Sequence, residues 1–258
     1  MPRLAEGDGS GPIHIHVAEQ TAEVDDCLAA TGARPIEWLA ENTPLDARWQ
    51  LVHATHATPR EIDAVAASGA GVVICPTTEA NLGDGLADLP RWLASATPLS
   101  IGSDSQVGRE AMDELRLLEL GQRLTLRQRN VAADPRHEPA TAARLFERVL
   151  AGGGAAAGHA QWGFVEGARA DLLVADASCE ATLGTPKDSL LDALVFAGAT
   201  RPWRDVMVAG RWALREHQHA DGAAIAAGFE QAMHALWQAP ARAREAEGFA
   251  FGCGTGLG

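Results

Sequence analysis

An α/β protein, with a parallel sheet covered by helices, is the class this sequence predicts, and three observations predict it. Apolar, strand-like runs recur at Ile13 to Ala18, Gln50 to Ala54, Gly71 to Cys75 and Leu99 to Gly102, each followed by a helix-like segment. The connections between them are short, and strand–helix alternation of that kind builds a parallel sheet under crossover helices. The composition, 47% hydrophobic and 21% charged over 258 residues, suffices to bury a substantial core. A complete eightfold barrel takes about 250 residues by itself. Only four strand–helix units fit between Ile13 and about Leu126, so half of a (β/α) barrel is expected.

The elements follow in order. In Ile13-His14-Ile15-His16-Val17, period-two alternation sets both histidines on the face opposite Ile13, Ile15 and Val17. Pro35 opens a helical stretch through Trp38 and Leu39. The helix after the second run begins Thr58-Pro59-Arg60-Glu61, which combines an N-cap, a proline at the first helical position and a capping-box glutamate; Ser68 and Gly69 end it. Asp113 to Leu126 carries helical periodicity in Leu115, Leu118 and Leu124. From about Pro139 an Ala-rich helix through Leu145 and Val149 runs into Gly152 to Gly158, expected to be a helix end and a turn. That glycine segment lacks the spacing of a phosphate-binding loop. Ala170 to Ala175 and Asp205 to Leu214 read as strands of a small β element, with Ala209 and Gly210 as a hairpin turn. A last helix runs from about Ala223 to Trp237, ahead of a Gly-rich tail expected to be disordered.

Charge and cysteine usage exclude several function classes. With 34 acidic against 21 basic residues and a formal charge of −13, the chain lacks the clustered Lys and Arg that neutralise phosphates, so no nucleic acid partner is expected. Cys27, Cys75, Cys179 and Cys253 form no C-x-x-C pair, which points to neither a disulfide framework nor a thiolate zinc site and fits a reducing cytoplasm. No run of about 18 apolar residues suggests a membrane span.

Chemistry is expected at the C-terminal ends of the strands, where such folds gather reactive groups. His16 ends the first run on the polar face, a position for a metal ligand, and Glu19 just beyond it is placed to move a proton. His53 ends the second run, and Asp104 emerges from the fourth. Each has a plainer reading: hydrogen-bonded histidines of a half-buried strand, or an N-cap for the helix after Asp104. Together, His, His and Asp on three of four successive strand ends favour a metal-assisted hydrolase. Cys75 reads as a buried structural thiol, Ser103 and Ser105 lack the context of a serine nucleophile, and His56, His137, His159, His217 and His219 read as surface residues.

His16-x-x-Glu19 on one strand, His53 on the next and Asp104 after the last resemble the amidohydrolase superfamily, in its cytosine and adenosine deaminase-like branch. Within that branch, HIHVAEQ, EVDDCLA, RPIEWL, LVHATH, CPTTEANLGDG and GSDS are similar to the formimidoylglutamate deiminases, and the similarity extends through GARADLLV and RDVMVAGRW to about Trp237. CPTTEANLGDG is the most specific piece. The resemblance implies the C-terminal half of a (β/α)8 TIM-type metal-dependent hydrolase barrel, resembling strands 5 to 8, over residues 1–160. The C-terminal part of a small β-sandwich domain would follow over 161–220, with a helix and tail over 221–258. It also implies one zinc ion held by His16 and Asp104, with Asp104 taking a proton from water, His53 assisting, and Glu19 carrying the proton to the departing nitrogen of a small-molecule substrate. Another deaminase substrate, a nucleobase, nucleoside or guanidino compound, is the alternative.

The sequence departs from that pattern in one respect. Family members carry an H-x-H pair on the first barrel strand, which supplies two more zinc ligands, and nothing here precedes Met1. His14 and His16 lie on the strand resembling the fifth and do not replace the pair. A truncated chain is therefore expected, with weak zinc binding, no useful activity alone, exposed apolar edges and self-association. A non-catalytic remnant or a subunit completed by another chain is a further reading, and the full-length enzyme is expected to be a possible homodimer.

Overall fold

The computed structural model describes residues 11–198 and 201–238. Strands β1 (Ile13–Val17), β2 (Trp49–His53), β3 (Gly71–Ile74) and β4 (Leu99–Ile101) form one sheet in the order β1-β2-β3-β4, every pair parallel. Between β1 and β2 lie α1 (Thr21–Thr31) and α2 (Pro35–Asn42); α3 (Pro59–Ser68) links β2 to β3; α4 (Pro76–Leu82) and α5 (Leu89–Ala94) link β3 to β4. After β4 come α6 (Ala111–Leu126) and α7 (Thr141–Ala156). The parallel α/β architecture expected from the alternation is the one observed.

The two faces of this sheet differ. One buries Val17, Trp49, Leu51, Val72, Ile74 and Leu99 against the helices, where Ile36, Ile62, Trp92, Leu115 and Leu145 complete the main core. The other carries His14 and His16, both exposed, then Gln50 and a small apolar group of Val52, Val73 and Cys75. Period-two alternation along β1 therefore separates core from chemistry as the sequence indicates. Helix α3 begins as expected: the Thr58 hydroxyl accepts from Glu61 N, the Glu61 carboxylate accepts from Thr58 N at 2.8 Å, and Gly69 closes the helix at φ 79°.

Three local expectations change. Leu115 and Leu118 are buried, but Leu124 is 82% exposed. Nine residues at about 100° each carry it to the side of the helix opposite Leu115. The glycines 152, 153 and 154 do not end the preceding helix; they lie inside α7. A Cβ at Gly152 would meet the Leu99 carbonyl oxygen at 2.1 Å, so the glycine lets α7 lie directly on β4. His56, His159 and His217 are half-buried rather than surface residues: His159 stacks on Trp162 and His217 Nε2 bonds Asp176 Oδ2 at 2.8 Å.

Arg148 on α7 fastens the same corner. Its guanidinium donates to the carbonyls of Leu93 at 2.8 Å, Thr97 at 3.1 Å, and Trp92 and Ser95 at 3.4 Å, all at the N-terminal end of β4.

Beyond α7, strands β5 (Leu172–Ala175), β6 (Trp203–Val208) and β7 (Arg211–Leu214) form an antiparallel sheet in the order β5-β6-β7. Ala209 and Gly210 turn the β6–β7 hairpin with φ of 49° and 78°, the doubly left-handed conformation that matches strand twist. Between β5 and β6 a helix absent from the sequence reading, α8 (Leu190–Phe196), buries Leu194 and Val195 in the main core. Helix α9 (Gly222–Gln238) follows with no buried residue. The tail expected to be disordered falls outside the described residues.

Candidate active site

The strands that carry the proposed chemistry end in an uncommon backbone conformation. Ala18, His53, Ala54 and Asp104 all have left-handed φ, at 52°, 69°, 49° and 46°. For residues with a Cβ such a conformation costs free energy, and it persists where the surroundings over-determine it. After β1 the Glu23 carboxylate supplies that hold, accepting from Ala18 N at 2.8 Å and Glu19 N at 2.9 Å. After β2, Ala54 N donates to Val17 O at 3.1 Å and His56 N to Ala18 O at 3.0 Å, continuing the ladder past the strands.

This turning brings four residues together. His16, Glu19 and His53 offer donor atoms that all lie within 4.8 Å of one another. His53 Nε2 stands 3.5 Å from Glu19 Oε1. The His16 and His53 rings meet edge to face with centroids 5.0 Å apart. Asp104 joins through His16, its Oδ1 3.8 Å from His16 Nε2. Asp104 does not cap the next helix, because the N-cap of α6 is Glu110. His53 is fully buried, whereas His16 is 57% exposed on a sheet-edge strand.

Burial and neighbouring charge shift two groups of the cluster. Burial raises the Glu19 pKa, the neighbouring His53 opposes that, and the Asp84 and Asp104 carboxylates reinforce it; the net direction is upward. For His53, burial pulls the pKa down, but a hydrogen bond to Glu79 and the charges of Glu19, Glu79 and Asp104 outweigh it, and the net direction is upward. Cys75 is buried, and its thiol is pushed far up by burial and by Glu79, Asp104 and Glu114, so it behaves as the structural cysteine expected.

The donors fit a divalent cation. Imidazole and carboxylate are the ligand types that zinc takes. His53 Nε2 is buried without a hydrogen-bond partner and faces the cluster. His53 Nδ1 is engaged by Glu79 Oε1 at 3.2 Å, the outer carboxylate arrangement common behind such imidazoles.

Sequence reasoning singled out CPTTEANLGDG as a motif without assigning its side chains. Glu79 and Asp84 from that stretch surround His53 and Glu19. Thr77 bonds the buried Glu114 carboxylate through its N at 2.9 Å, and Thr78 Oγ1 donates to Ser103 O at 2.7 Å, beside Asp104. An acidic residue within an otherwise polar helical turn was the available signal, and its partner lies 26 residues earlier.

Parallel strands bring His16, Glu19, His53 and Asp104 together at their ends, and the Amidohydrolase family model matches residues 8–213. The chain belongs to the amidohydrolase family. Over 234 residues it is 47% identical to the formimidoylglutamate deiminase of Pseudomonas aeruginosa, covering 90% of this chain and 51% of that protein. The crystal structure of an amidohydrolase from Brucella melitensis matches with a TM-score of 0.85 at 38% identity, covering 92% of this chain and 52% of that one. The structure of an adenosine deaminase from Xanthomonas campestris with bound zinc matches with a TM-score of 0.77 at 25% identity, covering 92% and 53%. The chain thus spans about half the length of the relatives it matches.

Proposed function

We propose that this chain is the catalytic C-terminal part of a zinc-dependent deaminase that converts N-formimino-L-glutamate and water to N-formyl-L-glutamate and ammonia. The convergence of His16, Glu19 and His53 donors within 4.8 Å carries the chemistry. The 47% identity to a formimidoylglutamate deiminase supports the substrate.

His16 and Asp104 would hold the ion, with two further ligands from an H-x-H pair outside these 258 residues; that the relatives are about twice as long supports this division. A bound zinc supplies Lewis acidity and brings the pKa of a water toward 7. Asp104 would also take up a proton from the attacking water. His53 presents Nε2 to the reacting centre. Glu19, with its raised pKa, holds a proton at neutral pH more readily than an exposed glutamate and delivers it to the departing nitrogen. Water adds to the formimino carbon, its two protons end on the imino nitrogen by way of Asp104 and Glu19, the bond from the carbon to that nitrogen breaks, and ammonia leaves the oxygen behind as the formyl carbonyl.

A nucleoside substrate is the second reading, favoured by the likeness to the adenosine deaminase. Extending the reading frame upstream, expressing the longer protein with zinc and measuring ammonia from formiminoglutamate and from adenosine separates the two. Release from formiminoglutamate alone supports the proposal. Release from adenosine alone, or from neither in a zinc-loaded folded protein, overturns it.

A further inference from the structure

We infer that Glu79 is a positioning residue that fixes the tautomer of His53, keeping the proton on Nδ1 and leaving the Nε2 lone pair aimed into the cluster. The inference rests on the proposed use of His53 in handling protons.

Glu79 belongs to α4 and is 1% exposed. Its Oε1 accepts from Cys75 N at 2.8 Å, a bond that ties the carboxylate to the end of β3. The same oxygen lies 3.2 Å from His53 Nδ1. A buried carboxylate is costly without donors around it. Among the described residues, its ion-pair partner within 4.0 Å is His53. A bare Nδ1 would set a lone pair against that oxygen, so Nδ1 carries hydrogen. In the neutral ring Nε2 is then unprotonated.

The ring has little freedom to turn away. His53 is fully buried, its backbone is held left-handed at φ 69°, and the His16 ring meets it at 77°. Nε2 is buried, makes no hydrogen bond and faces Glu19 Oε1 at 3.5 Å. Glu79 thus acts through His53: it directs one nitrogen outward from the core and balances the charge when that nitrogen takes a proton. An adjacent carboxylate that sets an imidazole tautomer serves metal and proton-transfer sites alike.

Long-range proton–nitrogen correlation spectra of the chain labelled with ¹⁵N-histidine, recorded at alkaline pH with His53 assigned by its loss in H53Q, test this. The wild type is expected to show His53 as the Nδ1–H tautomer alone. Glu79→Leu, which removes the acceptor, is expected to let Nε2–H appear, whereas Glu79→Gln, whose carbonyl oxygen can still accept from Nδ1, is expected to keep Nδ1–H. An Nε2–H ring in the wild type, or an Nδ1–H ring as exclusive as the wild type's in folded E79L, overturns the inference. If E79L does not fold, the wild-type spectrum decides. In the longer enzyme, E79L should lower kcat by about 10- to 100-fold with KM little changed, and a loss confined to KM would count against it. Failure of the longer protein to act on formiminoglutamate would defeat the proposed function and leave the tautomer measurement standing.

Discussion

Asp176 shows how single side chains set acid sensitivity away from the cluster. Its carboxylate accepts from Ser178 Oγ at 2.6 Å and Ser178 N at 2.9 Å, and from His217, and these bonds hold its pKa down to about 2. A carboxylate whose folded pKa is depressed adds stability that is fully present above the unfolded value near 4 and is lost as pH falls through about 2. Asp176→Asn should therefore flatten the pH dependence of urea unfolding between about pH 4 and 2; an unchanged slope would show that the bonds do not persist in solution. The same scale shows what the sequence made legible. His16, His53 and Asp104 were readable because each is a polar group that ends an apolar strand. Glu79 was not, since its role comes from a contact between α4 and β2 that no spacing rule encodes. The left-handed turns at Ala18, His53, Ala54 and Asp104 were equally hidden, because none of these residues is glycine.

Elements were legible where their signals are local. The Thr58 capping box and the four apolar runs mark β1 to β4 and α3 to within a residue or two. The signal failed where tertiary contact overrides composition: consecutive glycines at 152 to 154 mark a helix end by propensity, yet α7 continues through them because β4 needs the close approach. The two neighbours make a controlled comparison. Gly153→Ala adds a Cβ with nothing within 4 Å and should stabilise the protein by about 0.5–1 kcal/mol, the ordinary helical preference for alanine. Gly152→Ala drives its Cβ to 2.1 Å from backbone and should destabilise by about 1–3 kcal/mol or more. Opposite shifts in thermal midpoint are expected; equal shifts would mean that α7 and β4 are less closely packed. Helix α8, absent from the sequence reading, has seven residues and buries Leu194 and Val195.

At the scale of the whole molecule, zinc affinity should reveal how the site is divided. On the proposed assignment His16 and Asp104 are two ligands, whereas catalytic zinc sites take three protein ligands or more. The 258-residue chain is expected to keep well under one equivalent of zinc through dialysis, and the upstream-extended protein about one. Stoichiometric zinc on the shorter chain would show that Glu19 and His53 complete a ligand set with His16 on their own. Arg148 and Gly152 anchor the opposite pole: the guanidinium grips four carbonyls ahead of β4, and α7 rests on the strand itself. Opening that corner means losing all of those bonds at once, whereas His16, Glu19, His53 and Asp104 stand at or just beyond the other end of the sheet's strands. Amide exchange should accordingly be slowest around α7 and β4 and faster along residues 103–110. A substitution at the anchored pole would then shorten the protein's lifetime while leaving its ligand preferences alone, so durability and selectivity become separately adjustable.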